Sequence, residues 1–213
     1  MEKLEAIAER IRQDLEARNA ARDEALTRSR ELVRHCANSI RATHRGEFEE
    51  AAHLLATAQE VAARMAEDLA DYPDIYYAGY TQDALKELVE AQIAYALIRG
   101  RPLPTPEELG VECVAYLRGL GEAVGELRRH VLDLIRRGQI ERGEEILSAM
   151  DDIYGVLVTI DFPDAITRGL RRITDMVRGV LERTRGDLTM AMRQEELRKA
   201  LRDLEERVGQ GER

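Results

Sequence analysis

The sequence is poor in aromatic residues, 4% of the chain, and has no tryptophan. An apolar core must therefore be built from Leu, Ala, Ile and Val, which the 44% hydrophobic content allows. Only five prolines occur, and runs of Thr, Val or aromatics are few, which argues against a sheet. The two cysteines, Cys36 and Cys113, both fall in helical patterns, so a disulfide framework is not expected and a reducing, cytoplasmic setting fits. No apolar run approaches the roughly 18 residues that suggest a membrane span, and the charged start "MEKLEAIAER" does not resemble a signal peptide. Positive charge is not in excess either. The net charge of -9 excludes a polycation that holds nucleic acid by bulk attraction, so any such surface is local or metal-assisted.

What is present is Glu, Arg, Leu and Ala, with 34% of residues charged. These are good helix formers, and they predict an all-α protein. Apolar residues recur with helical period from Leu4 to Ile40, as two helices or one, up to Gly46, which suits a C-cap. Further helices are expected over about 47–70, 76–98, 111–137 and 141–160. A sixth begins near Pro163 and ends near "TRGD", and a last one covers about 188–208, with 209–213 frayed. In "TPEELG", Thr105 can cap, Pro106 suits the first turn and Glu108 completes a capping box. Every proline falls between helices or at a helix start. With short loops and no linker, the expectation is one domain over 1–213, an antiparallel bundle of about seven helices with its core over about 25–208.

Two stretches break the pattern. "DALKELVEAQIAYALI" (83–98) is almost wholly apolar but carries Glu87 and Glu90, three apart and so on one helix face, in an acidic stripe with Asp83. A buried, unpaired carboxylate is costly, so such residues pair with a cation, bind a metal or face water. Glu-x-x-Glu also arises by chance in so acidic a chain, as in Glu47/Glu50, and a salt bridge to another helix would serve equally. "LRGLGEAVGELRRHVLDLI" has three glycines inside a helical pattern, at a cost of about 1 kcal/mol each. Gly121 and Gly125 give it a smooth face for close approach of another backbone. Such a crossing would bring Glu122, with Glu126 one turn on, near Glu87 and Glu90. Converging carboxylates of this kind suit Mg²⁺ or Mn²⁺.

The stretches "RELVRHCANSIRATHRGEFEEA", "DALKELVEAQIAYALI", "YLRGLGEAVGELRRHVLDLI" and "TRGLRRITDMVRGVLERTRGDL" resemble, in order, the helices of the translin family, over roughly residues 25–188. The resemblance implies an all-α bundle assembled into a closed octameric shell that binds single-stranded RNA or DNA. It also implies a subtype. Translin-associated factor X (TRAX)-type chains carry Glu-x-x-Glu followed by Ala, matched here by Glu87, Glu90 and Ala91, and use such acids to bind Mg²⁺ and cleave RNA. Their third acid is an Asp four residues before the Glu of "GEL"; here Glu122 stands there, before Glu126. Translin-type chains lack the acids and carry a His- and Arg-rich stretch ahead of that helix, where this sequence reads "YYAGYTQ".

The implied activity is a Mg²⁺-dependent (or Mn²⁺-dependent) endoribonuclease acting on single strands inside a homo-oligomer, with Glu87, Glu90 and Glu122 catalytic and metal-binding and Glu126 a further ligand. Arg128, Arg129, Arg171 and Arg172 are candidate phosphate contacts, with interhelix salt bridges the alternative for each. Tyr76, Tyr77 and Tyr80 could stack bases or simply pack. A non-catalytic single-strand-binding assembly and a plain helical assembly protein are the competing readings. Glu50 and His53 form a single Glu-x-x-His, and a ferritin-like di-iron site needs two. His44 suits a C-terminal cap.

Overall fold

The structure, a computed structural model, describes the backbone of residues 1–211 and the side chains of 1–207. The fraying expected at 209–213 lies outside the fully described residues. Nine helices and no strand occur among the described residues. Six are long: α1 (Glu2–Arg45), α2 (Phe48–Asp68), α4 (Gly79–Arg99), α6 (Cys113–Arg136), α7 (Ile140–Val158) and α9 (Leu170–Gly211). Three are single turns: α3 (Pro73–Tyr76), α5 (Pro106–Leu109) and α8 (Asp164–Thr167). Among the described residues no helix is long and apolar enough to cross a membrane.

The chain falls into two compact units, Met1–Ala123 and the remainder from Val124, with α6 running through the boundary. In the first unit, α1 packs along α2 and α4. Leu32, Cys36 and Ala42 of α1, Ala58 and Met65 of α2, and Leu85, Leu88, Val89 and Ile93 of α4 are all but inaccessible. Helix α4 is buried on nearly every side, as its apolar sequence requires. Its start is fastened by side chains: the Thr81 hydroxyl donates to the Ile75 carbonyl (2.9 Å) and the Gln82 amide to that of Tyr76 (3.0 Å). Helix α1 ends at Gly46 in the left-handed region (φ 79°), and the Gly46 N–H donates to Thr43. Thr105 and Glu108 form the expected capping box. In the second unit α7 packs on α9, with Gly143 against Leu188.

Two expectations are revised. The chain from 163 to 208 is not two long helices meeting near "TRGD" but the turn α8 followed by one continuous helix. Gly186 lies in the interior of α9, and a lone glycine costs only about 1 kcal/mol, too little to break a helix supported on both sides. The glycine at the close approach is Gly119, and Gly125 is exposed with open space around it. A Cβ at Gly119 would lie 2.6 Å from Val89 Cβ and 2.7 Å from the Lys86 carbonyl oxygen, whereas one at Gly125 would meet nothing within 4 Å. Gly119 therefore sets how near α6 comes to α4. Gly119→Ala must push the two helices apart, because one of the obstructing atoms is backbone. We expect a loss of about 1–3 kcal/mol in chemical denaturation, against less than about 1 kcal/mol or a gain for Gly125→Ala.

Candidate metal centre

The close crossing at Gly119 fixes what faces what one helical turn on. Glu122 follows Gly119 by three residues and so shares its face of α6. On α4, Glu87 and Glu90 share a face, and Val89 lies at the crossing itself. The result is that one carboxylate oxygen from each of Glu87, Glu90 and Glu122 lies within 4.8 Å of the other two, all three side chains half-buried. These three acids, singled out from sequence spacing and resemblance, do converge in the first unit.

A cation already stands among them. The Lys86 ammonium contacts Glu122 Oε2 and lies 3.0 Å from Glu87 Oε1, and its side chain is only 10% exposed. Burial alone would push this ammonium down; the hydrogen bonds and charges of Glu122 and Glu87 outweigh it and hold Lys86 above the usual lysine range. Beneath the acids lies Cys36. Its thiol is pushed far up, first by burial and then by the negative charges of Glu87 and Glu90, so it stays protonated and inert.

The donor set suits a hard divalent ion: three carboxylates and no nitrogen or sulfur ligand.

Other candidates take different places. Asp83, expected in the same stripe, is exposed and pairs with Arg118 at 3.0 Å. Glu126 lies one turn beyond Glu122, in the second unit, with Arg129 at 3.8 Å. Arg128 is tied to Asp187 (2.8 Å) and donates to the Thr184 hydroxyl (3.0 Å), which is the interhelix salt bridge. Arg129, Arg171 and Arg172 are exposed. Tyr77 donates its hydroxyl to Glu112 (3.1 Å).

Sequence reasoning passed over three cationic residues. Lys86 hid among apolar neighbours, yet its signal was compositional: the chain has 29 arginines and three lysines, and Lys3 and Lys199 lie near the two ends. Arg30 and Arg34 line an open groove of about 430 Å³ between α1 and α4, together with Leu26, Val33, Tyr80 and Glu87. Their four-residue spacing on α1 was the available clue.

No family model matches the sequence. An uncharacterised protein of Methanocaldococcus jannaschii is 30% identical over 188 residues, which cover 87% of this chain and 82% of the relative. Among solved structures, AfC3PO in complex with duplex RNA is 37% identical with a TM-score of 0.81, and AfC3PO alone is 38% identical with the same score; each alignment covers 87% of this chain and 96% of the other. Apo-NeC3PO, 23% identical, shares the fold with a TM-score of 0.79, over 86% of this chain and 96% of its own. With C3PO relatives matched almost end to end and the same all-helical architecture, the chain belongs to the translin family.

Proposed function

We propose that this protein is an RNA-binding assembly whose subunits are of the catalytic, TRAX-like type, a metal-dependent endoribonuclease acting on single-stranded RNA. The observation that carries the reading is the convergence of Glu87, Glu90 and Glu122 across the α4–α6 crossing. RNA as the ligand is supported by the relative solved with duplex RNA. Glu87, Glu90 and Glu122 would hold Mg²⁺ (or Mn²⁺), with Glu126 as an outer partner. When bound, the ion supplies Lewis-acid stabilisation of phosphodiester charge and a more acidic water.

The protein's own side chains do the rest. Three carboxylates on two packed helices set the position of the ion and, through the rigid crossing, of anything bound to it. The groove ending at Glu87 offers Arg30 and Arg34 to phosphates and Tyr80 to a base, with an apolar floor at Leu26 and Val33. Arg129, Arg171 and Arg172 are further exposed cations for a strand, while Arg128 is committed to Asp187. A single strand is the proposed ligand because its bases are free to leave a stack and meet Tyr80.

Assembly is supported by two helical segments left bare. Residues 1–20 of α1 are exposed almost throughout and carry Leu4, Ile7, Ile11 and Leu15 at helical spacing. Beyond Leu188, α9 exposes Leu197, Leu201 and Leu204 in the same way. A helix with an apolar stripe and no partner is marginal in water, and a homo-oligomer, as in an octameric shell, would cover both.

One observation favours a second reading. Lys86 already pairs with Glu87 and Glu122, so the acids could serve as a structural ion-pair network in a non-catalytic RNA-binding assembly.

An unstructured RNA incubated with the protein and Mg²⁺ should be cut internally, and EDTA should stop the reaction. Glu87→Ala with Glu90→Ala should lower the rate by about a hundredfold or more while RNA retention on a filter persists. Undiminished cleavage by that variant would remove the site, and retention without any cleavage by the parent would select the non-catalytic reading. Light scattering after size exclusion should give a multiple of the 24.2 kDa subunit mass. Ile7→Glu with Ile11→Glu should shift that mass downward; an unchanged mass would remove the α1 stripe from the interface.

A further inference from the structure

Lys86 is the only lysine between Lys3 and Lys199 in a chain that otherwise uses arginine. The preference is informative because the two cations differ in shape. An arginine fork is wide and planar, whereas an ammonium is a compact, strongly hydrated point charge with three donors. Lys86 is also the most enclosed charged side chain at the centre, 10% exposed against 32% for Glu87 and 27% for Glu122. It contacts carboxylate oxygens of two of the three glutamates.

Its backbone is equally constrained. The Lys86 carbonyl oxygen lies in the tight α4–α6 crossing, 2.7 Å from where a Cβ on Gly119 would be. The stem therefore leaves the helix at a fixed point beside the carboxylates.

We infer that Lys86 is a built-in counter-cation of the three-glutamate centre: its ammonium holds the carboxylates together without metal, and a divalent ion must displace it from Glu87 and Glu122 in order to bind. This rests on the proposed metal-binding role of the three glutamates. With Lys86 in place the formal charge is three negative and one positive, a net of minus two, which one divalent ion would neutralise; to reach the Glu87 and Glu122 oxygens that the ammonium contacts, that ion has to take the ammonium's place. Lys86 thus sets the metal affinity low and makes occupancy of the centre conditional on metal concentration. The displaced ammonium stays tethered beside the ion, where an anionic ligand is its natural next partner.

The test compares the full-length parent with Lys86→Met, Lys86→Gln and Arg118→Met, titrating MnCl₂ calorimetrically at one fixed pH and recording thermal unfolding with and without MgCl₂. Arg118 is the control: it is a nearby cation on α6 that pairs with Asp83 and touches none of the three glutamates in the ion pairs it forms. Displacement predicts that both Lys86 variants bind Mn²⁺ about tenfold tighter or more, while Arg118→Met stays within about twofold of the parent. It also predicts that the metal-free Lys86 variants melt earlier than the parent and gain more from MgCl₂. The glutamine variant, which keeps a hydrogen-bond donor, reports the affinity should the methionine variant fail to fold.

Equal or weaker Mn²⁺ binding by the Lys86 variants, with binding by the parent intact, overturns the inference and leaves the metal-centre reading standing. An increase in Arg118→Met as large as in the Lys86 variants also overturns it, since general electrostatics would then suffice. Failure of every protein to bind Mn²⁺ overturns both. Binding by the Lys86 variants alone supports the inference in its strongest form.

Discussion

The close contact of α4 with α6 is the constraint on which the centre depends. Helix axes ordinarily pack 8–10 Å apart, and bringing two nearer needs a residue without a Cβ at the crossing. Gly119 provides it, against Val89 and the Lys86 carbonyl. The cost of a glycine in a helix interior, about 1 kcal/mol, is then not a defect but the condition for convergence. Moving α6 outward by even one carbon would separate Glu122 from Glu87 and Glu90, because all three side chains reach into the same narrow gap. The apolar burial of α4 completes the constraint: a helix packed by α1 and α2 through Leu85, Leu88 and Ile93 cannot yield to relieve the crossing. The geometry of the centre is therefore inherited from the core rather than from the acids.

Much of the helical fold was legible because helical periodicity or apolar runs are bounded by recognisable signals, such as Gly46 after α1, Gly100 after α4 and the Thr105 box before α5. The long helices were harder. In α1 and α9 the apolar period continues into segments whose apolar side chains are exposed among the described residues, so periodicity alone could not tell one helix from two. Gly186 looked like a terminator near residue 188, but it sits where Leu188 and Thr184 are fully buried, and packing on either side carries the helix through.

The acids of the centre were legible for a different reason. Glu87 and Glu90 stand out against apolar neighbours, and i,i+3 spacing places them on one face without any tertiary information. Which glycine faces α4 is a tertiary fact: the even spacing drew attention to Gly121 and Gly125, whereas Gly119 is the one that meets Val89 and the Lys86 carbonyl. Lys86 was missed because a single lysine among apolar residues has no period. Only the contrast with arginine usage across the chain marks it, and that contrast acquires meaning once the ammonium is seen between two carboxylates.

This pairing also bears on the departure at position 122, where the family resemblance leads one to expect an aspartate. A glutamate reaches about one methylene farther, roughly 1.3 Å, enough to meet an ammonium that projects from the facing helix. An aspartate in that place would leave Lys86 with Glu87 alone, and a half-paired buried ammonium is costly. Conversely, a glutamate without Lys86 would add a third like charge to a cluster that already raises the Cys36 thiol. On the proposed reading Glu122 and Lys86 make sense as a pair: the longer acid keeps the lysine satisfied, and the lysine makes three close carboxylates tolerable without metal. The glutamate at 122 is then one half of a compensated arrangement, with the Gly119 crossing between the two helices that carry the pair.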